Sequence, residues 1–207
     1  MGAWAIGRAP GAVFLDRDGV INEDPSDYVT SWASFRFLPG ALEALSFLTA
    51  HAIPLVVVTN QGAVGRGLAS REAVDGLHRR MRQAIEDEGG RLLEVLTCFH
   101  SPQAGCSCRK PAPGLLQEAA ARHGIDARRS ILVGDHANDL EAARLAGIRS
   151  IIVLSGRTVG QQIPLPSGCI GVYRDLLSVA HWLIDDSHLV SDEACGTPPA
   201  LTQYAVE

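Results

Sequence analysis

What the chain lacks narrows its class before any motif is read. Positive charge is in deficit: 18 Lys and Arg against 23 Asp and Glu give a formal charge of -5. A general nucleic-acid binder needs a basic stripe to neutralise phosphates, so nucleic acid is not an expected partner. No segment approaches the roughly twenty apolar residues that a membrane span requires, and no membrane contact is expected. Met1 to Pro10 holds Arg8 and two glycines. That stretch has too short an apolar core for a signal peptide, and Asp16 follows closely behind it. Cysteine is scarce and odd in number, five in 207 residues. With no export signal, the odd count argues against a disulfide framework and for a reducing, cytoplasmic setting. No internal repeat is present.

What is there is an ordinary composition, 46% apolar and 20% charged, in a chain long enough for one domain with a sizeable core. Segments near 12–16, 54–59, 95–99, 130–134 and 149–154 read as strands, and segments near 40–51, 70–88, 113–123 and 137–146 as helices. That alternation predicts an α/β fold, a Rossmann-like parallel sheet with helices on both faces. The helix at 70–88 shows the signals well. Ser70 suits the N-cap, Val74, Leu77, Met81 and Ile85 form one apolar stripe, and Gly89-Gly90 stop it. Residues 169–184 read as a last strand and an apolar-faced helix. A single domain is expected over 1–186. Beyond Asp185 the composition turns to Ser, Asp, Thr and Pro, and 187–207 is expected to be a mobile tail.

The run Phe14-Leu15-Asp16-Arg17-Asp18-Gly19 places two carboxylates two residues apart at the end of an apolar strand. Side chains alternate along a strand, so Asp16 and Asp18 can point the same way and converge on one phosphate. One carboxylate can attack phosphorus and form a covalent intermediate, while the other protonates the leaving alcohol and then activates water. A solvated Asp- and Gly-rich turn would look similar by itself. Three later signals decide between them: Leu55 to Gly62, a strand ending in Thr59, Asn60 and Gln61; Cys108-Arg109-Lys110-Pro111; and Ile131 to Asp139, a strand ending in acids. All lie at the carboxyl ends of predicted strands or in the loops that follow, the edge where open α/β sheets bind ligands.

With these four motifs in order, residues 12–154 resemble the phosphatases of the haloacid-dehalogenase superfamily. Within it, FLDRDGVIN, TNQGAVGRG and the CRKPAPG segment are most similar to the heptose 1,7-bisphosphate 7-phosphatases, whose close relatives are the histidinol-phosphate phosphatases. The resemblance implies Asp16 as nucleophile, Asp18 as general acid and base, Thr59 and Lys110 as the phosphoryl-binding pair, and Asp135 as a Mg2+ ligand. Asp16 and a backbone carbonyl near Asp18 would complete the protein's share of an oxygen shell suited to Mg2+. Asp139, one helical turn beyond Asp135, reads as orienting Lys110 or a ligand, or as a helix N-terminal acid. Arg109 can fork onto substrate oxygens and Arg66 can reach a distal phosphate. With Asn60 and Gln61 they are the candidate substrate-binding residues.

A second constellation precedes Lys110: Cys98, His100, Cys106 and Cys108. Three thiolates and one imidazole fill a tetrahedral zinc site with no open position, which makes the expected Zn2+ structural. The resembling family carries a zinc loop here, and the five residues between its halves, Ser101 to Gly105, match the histidinol-phosphatase interval. The spacing between motifs leaves no room for a separate cap domain. Recognition then falls to Glu23–Leu38, to Gln61–Gly67 and to the zinc loop. Trp32, Phe35 and Phe37 would either wall the pocket or anchor the first loop. The expected partner is a small phosphorylated metabolite, a sugar bisphosphate, met by a monomer. Histidinol phosphate is the alternative substrate. A receiver-type phospho-accepting domain is a further alternative, opposed by Asp18 and by the motif order.

Overall fold

Alternation of side chains along the strands sets the architecture. In β1 (Val13–Leu15) all three residues are buried. Val13 and Leu15 enter one apolar cluster, and Phe14 enters the other. In β2 (Leu55–Asn60) Leu55 and Val57 divide in the same way from Val56 and Val58, and in β4 (Ile131–Gly134) Ile131 and Val133 divide from Leu132. Strands apolar on both faces belong at the centre of a parallel sheet covered on both sides. The computed structural model describes residues 11–25, 27–156 and 165–185. Among these, six strands form one sheet in the order β3-β2-β1-β4-β5-β6, with β3 at Glu94–Cys98, β5 at Arg149–Val153 and β6 at Cys169–Tyr173. Every pairing is parallel.

Helices α1 (Ala41–Ala50), α3 (Arg71–Asp87) and α6 (Leu176–Asp185) contribute to the cluster with Val13 and Leu15. Helices α4 (Gly114–His123) and α5 (Ala137–Ala146) contribute to the other. Each expected strand and helix is found, with ends displaced by about a residue. The expected recognition loop after β2 instead contains a one-turn helix, α2 (Gly62–Gly65). Gly62 and Gly65 hide a periodicity that so short a helix cannot display. The expected tail at 187–207 lies outside the described residues, as does Cys195. Among the described residues, no helix is long and apolar enough to cross a membrane.

The chain runs outward from β1 through β2 to β3, returns to β4 on the other side of β1, and runs outward again. Beyond the carboxyl ends of β1 and β4 the connections depart in opposite directions, which opens a crevice there. Asp16 follows β1 and Asp135 follows β4, so the fold alone brings these two acids together.

The α3 stripe generates a stability prediction. Ser70 caps the helix by accepting from the Ala73 N–H at 3.1 Å, and Met81 is fully buried. Met81→Ala should cost about 2–5 kcal/mol through lost transfer energy and a cavity. Ser70→Ala should cost about 1 kcal/mol. Urea unfolding monitored by circular dichroism checks both, and a Met81 cost no larger than the cap's would contradict the packing described here.

Candidate active site

The centre of the crevice is Lys110, a cation only 2% exposed. Three oxygens surround its ammonium, two from carboxylates and one from the main chain. Its Nζ lies 2.8 Å from Asp16 Oδ1, 2.5 Å from Asp139 Oδ1 and 2.9 Å from the Val58 carbonyl. Burial alone would lower the Lys110 pKa, but the charges of Asp139 and Asp16 prevail and raise it above its ordinary value. The loop carrying Lys110 is fastened through Asn60. That side-chain amide donates to the Lys110 carbonyl at 3.0 Å and accepts from the Lys110 N–H at 3.1 Å.

Around Lys110 stand the acids. Carboxylate oxygens of Asp16, Asp135 and Asp139 all lie within 4.8 Å of one another. Burial pushes the Asp16 carboxyl well above the usual carboxylate range, against the pull of Lys110, and the neighbouring Asp139 and Asp135 add to the rise. Hard oxygen donors crowded with excess negative charge suit a divalent cation such as Mg2+, whose charge reverses that balance. Asp135 is pressed between two glycines: a Cβ on Gly19 would come within 2.4 Å of its Oδ2, and one on Gly156 within 2.1 Å. Gly19 also has φ +83°, a left-handed turn that any larger residue would strain. Asp139 is fixed by Lys110 and by the start of α5, where its Oδ2 accepts from the His136 N–H while His136 Nδ1 accepts from the Asn138 N–H. His136 thus serves as a helix cap, in a reciprocal arrangement that usually begins with Ser or Thr.

Asp18 stands apart from this cluster. Its Oδ1 accepts from Arg17 Nε at 3.0 Å, Arg17 Nη2 at 2.6 Å and Asn22 Nδ2 at 2.9 Å, and its Oδ2 accepts from Gln61 Nε2 at 2.8 Å. Gln61 also donates to Thr59 Oγ1 at 3.0 Å. Thr59, Gln61, Asp18 and Arg17 therefore form one connected network beside the acids. Asn60 and Gln61, candidates for substrate binding, direct their amides to Lys110 and to Asp18 and Thr59. The two arginines expected there are more accessible. Arg66 is exposed and lies over the Tyr28 ring, 5.7 Å from its centroid. Arg109 is half-buried beside Gly62 and donates to the His100 carbonyl at 3.3 Å. Trp32 stacks on Phe35 at 5.2 Å, Phe35 meets Phe37 edge-on at 4.9 Å, and all three pack on the core. Their part is to anchor the first loop.

Two buried residues escaped the sequence reading. Arg17 is fully buried, and His78 on α3 is 6% exposed. The available signal was a polar residue at position 78, within the stripe formed by Leu77 and Met81.

The zinc-type residues converge. Sγ atoms lie 3.7 Å apart for Cys98 and Cys106, 3.2 Å for Cys98 and Cys108, and 3.5 Å for Cys106 and Cys108. His100 Nδ1 lies 3.5 Å from Cys98 Sγ and 3.2 Å from Cys108 Sγ. Two thiolates each about 2.3 Å from a tetrahedral ion would be roughly 3.8 Å apart, so the donors fit Zn2+. Burial and the adjoining thiols push Cys108 up to about 12. A cation is what would hold these sulfurs together as thiolates. Purified protein should carry about one zinc per chain by elemental analysis, and Cys106→Ser should lose it. Because Cys108 leads directly into Arg109 and Lys110, that variant should also lose activity. A full zinc complement in Cys106→Ser, or full activity without zinc, would contradict the assignment.

Comparison with known proteins agrees with this geometry. A family model described as HAD-hydrolase-like matches residues 107–170. The chain is 36% identical over 175 residues to the D-glycero-beta-D-manno-heptose-1,7-bisphosphate 7-phosphatase of Pseudomonas aeruginosa, covering 83% of this chain and 97% of that one. It is 41% identical over 154 residues to the D-glycero-alpha-D-manno-heptose-1,7-bisphosphate 7-phosphatase of Mycobacterium tuberculosis, covering 72% and 81%. Among solved structures, the D,D-heptose 1,7-bisphosphate phosphatase of Bordetella bronchiseptica, crystallised with magnesium and phosphate, superposes with a TM-score of 0.82. Identity there is 36%, covering 85% of this chain and 99% of that one. With relatives matched along nearly their whole length and the acids, lysine and cysteine cluster assembled on a matching fold, the chain belongs to the heptose-1,7-bisphosphate 7-phosphatase family of HAD-like hydrolases.

Proposed function

We propose that this chain is a Mg2+-dependent phosphatase that removes the 7-phosphate of D-glycero-D-manno-heptose 1,7-bisphosphate through a phospho-aspartate on Asp16. The observation that carries the reading is the convergence of Asp16, Lys110 and Asp135 at the switch point of the sheet, in a chain that spans 97% of a relative named for that activity. Asp16 attacks phosphorus, and the bond to the sugar oxygen breaks. That oxygen leaves with its electron pair and takes a proton from Asp18. Water then gives a proton to Asp18 and attacks phosphorus. The bond to Asp16 breaks, releasing inorganic phosphate and restoring both carboxyl groups.

Each neighbour has a part in this sequence. Lys110 holds positive charge beside Asp16, where negative charge spreads over the transferring phosphoryl group, and Thr59 offers a hydroxyl from the end of β2. Asp16, Asp135 and the main-chain carbonyl of Asp18 would hold Mg2+, which when bound offsets the repulsion between an anionic nucleophile and an anionic ester. Zn2+ on Cys98, His100, Cys106 and Cys108 would fix the loop that delivers Lys110. Arg109 and Arg66 are our candidates for binding the phosphate that is kept, a reading supported by their lying beside α2 without the buried carboxylate partners that hold Arg17 and Lys110. Zinc held by the thiolates of Cys98, Cys106 and Cys108 fits a reducing, cytoplasmic setting.

Steady-state kinetics test the substrate. kcat/KM should be higher for one anomer of the heptose 1,7-bisphosphate than for histidinol phosphate, the alternative favoured by the short zinc loop. Arg109→Ala should cost roughly 1.5–3 kcal/mol on the bisphosphate and less on a monoester. A higher kcat/KM for histidinol phosphate would replace the substrate while leaving the chemistry at Asp16 in place.

A further inference from the structure

The mechanism above makes no use of the two buried polar side chains behind Asp18. Arg17 has no exposed surface. Burying a guanidinium is costly unless its donors are matched, and here they are. Nε and Nη2 fork onto Asp18 Oδ1, Nη2 also reaches the Val29 carbonyl at 3.2 Å, and Nη1 lies 3.0 Å from His78 Nε2. Arginine has no acceptor to offer, so His78 Nε2 must accept this bond. The other nitrogen, Nδ1, then carries the ring proton and faces Thr97 Oγ1 at 3.5 Å. A neutral imidazole suits the place, since burial and the adjacent Arg17 charge hold the His78 pKa down at about 3.

We propose that His78 is a positioning residue for catalysis: as a neutral acceptor it fixes the Arg17 guanidinium, and Arg17 fixes the rotamer of Asp18. The inference rests on the reading of Asp18 as general acid and base. Oδ1 already takes three donors, from Arg17 and Asn22. That leaves Oδ2, on the Gln61 and Thr59 side, as the oxygen able to exchange a proton with the leaving group. The clamp chooses which Asp18 oxygen faces the phosphoryl site. Without the His78 acceptor, Arg17 Nη1 is buried and unmatched, and the guanidinium turns away from the geometry that sets Asp18. A residue on α3, packed behind the sheet, thereby acts on proton transfer without touching the substrate.

Leaving-group dependence tests this, because p-nitrophenolate departs without a proton and a primary alkoxide does not. The full chain is assayed with a primary alkyl phosphate and with p-nitrophenyl phosphate, as wild type, His78→Leu, His78→Gln and Asp18→Asn. His78→Leu should lower kcat about tenfold or more on the alkyl ester and less than about threefold on the nitrophenyl ester, a fraction of the 10²–10⁴ typical of general acid–base catalysis. KM should not move. His78→Gln, which keeps an acceptor, should recover most of the loss, and His78→Leu should add nothing in an Asp18→Asn background. If His78→Leu does not fold, Arg17→Lys, which keeps the buried charge and loses the fork, should show the same selective loss. Equal losses on the two esters, or none, would overturn the proposal. Absence of leaving-group selectivity in Asp18→Asn itself would instead overturn the reading of Asp18.

Discussion

The rest of the site depends on a charge that has nowhere else to go. Lys110 is buried with its ammonium ion-paired to Asp16 and Asp139 and hydrogen-bonded to the Val58 carbonyl. A buried ammonium is tolerated only when its partners are complete, and removing one partner of such a pair leaves an uncompensated charge worth about 3–5 kcal/mol. These partners come from the end of β1, the end of β2 and the first turn of α5. One cation therefore fixes the relative positions of three elements around the crevice. Asp16 is placed as a consequence, and its neighbour Asp135 is confined by Gly19 and Gly156.

A second level of organisation supports the first. The cysteine cluster and Asn60 fasten the two sides of the loop that brings in Lys110, one through Cys98 at the end of β3 and the other through the end of β2. Asn60 and Cys98 are paired positions in the sheet, so the loop is tied down at one level of the strands. On the other side, Arg17 and Gln61 hold Asp18. Each of these two carboxylates is thus set by a buried cation, Lys110 for Asp16 and Arg17 for Asp18. Preorganised charge of this kind adds no reorganisation cost during the reaction.

Much of this was legible in the sequence because it is periodic or local. Doubly apolar strands and the α3 stripe announce the layers, and the spacing of Asp16, Lys110 and Asp135 within strand-end motifs announces their meeting. The four zinc-type ligands announce themselves by chemistry, since soft donors rarely cluster by chance within so short a span. What could not be read was the direction of amides and of polar residues with several possible partners. Asn60 and Gln61 stand in the motif that ends β2, and tertiary partners 50 and 43 residues away engage their side chains. At position 78 the sequence shows only a polar residue within an apolar stripe, and at position 17 only a cation between two acids, with no sign of the contact between them. His136 was not recognisable as a cap because imidazole rarely fills that position. In each case the deciding partner lies on another element or depends on a rotamer, and neither leaves a periodic trace.

The central claim is that Asp16, activated within this charge cluster, carries the phosphoryl group. Its most direct test is acid-quenched turnover of the Asp18→Asn variant, which should slow breakdown of the intermediate, followed by mass spectrometry of the peptide spanning Phe14 to Asn22. The account predicts a phosphate adduct on Asp16 that forms within the first turnover and is absent from Asp16→Asn. An adduct on another residue, or undiminished turnover by Asp16→Asn, would contradict it.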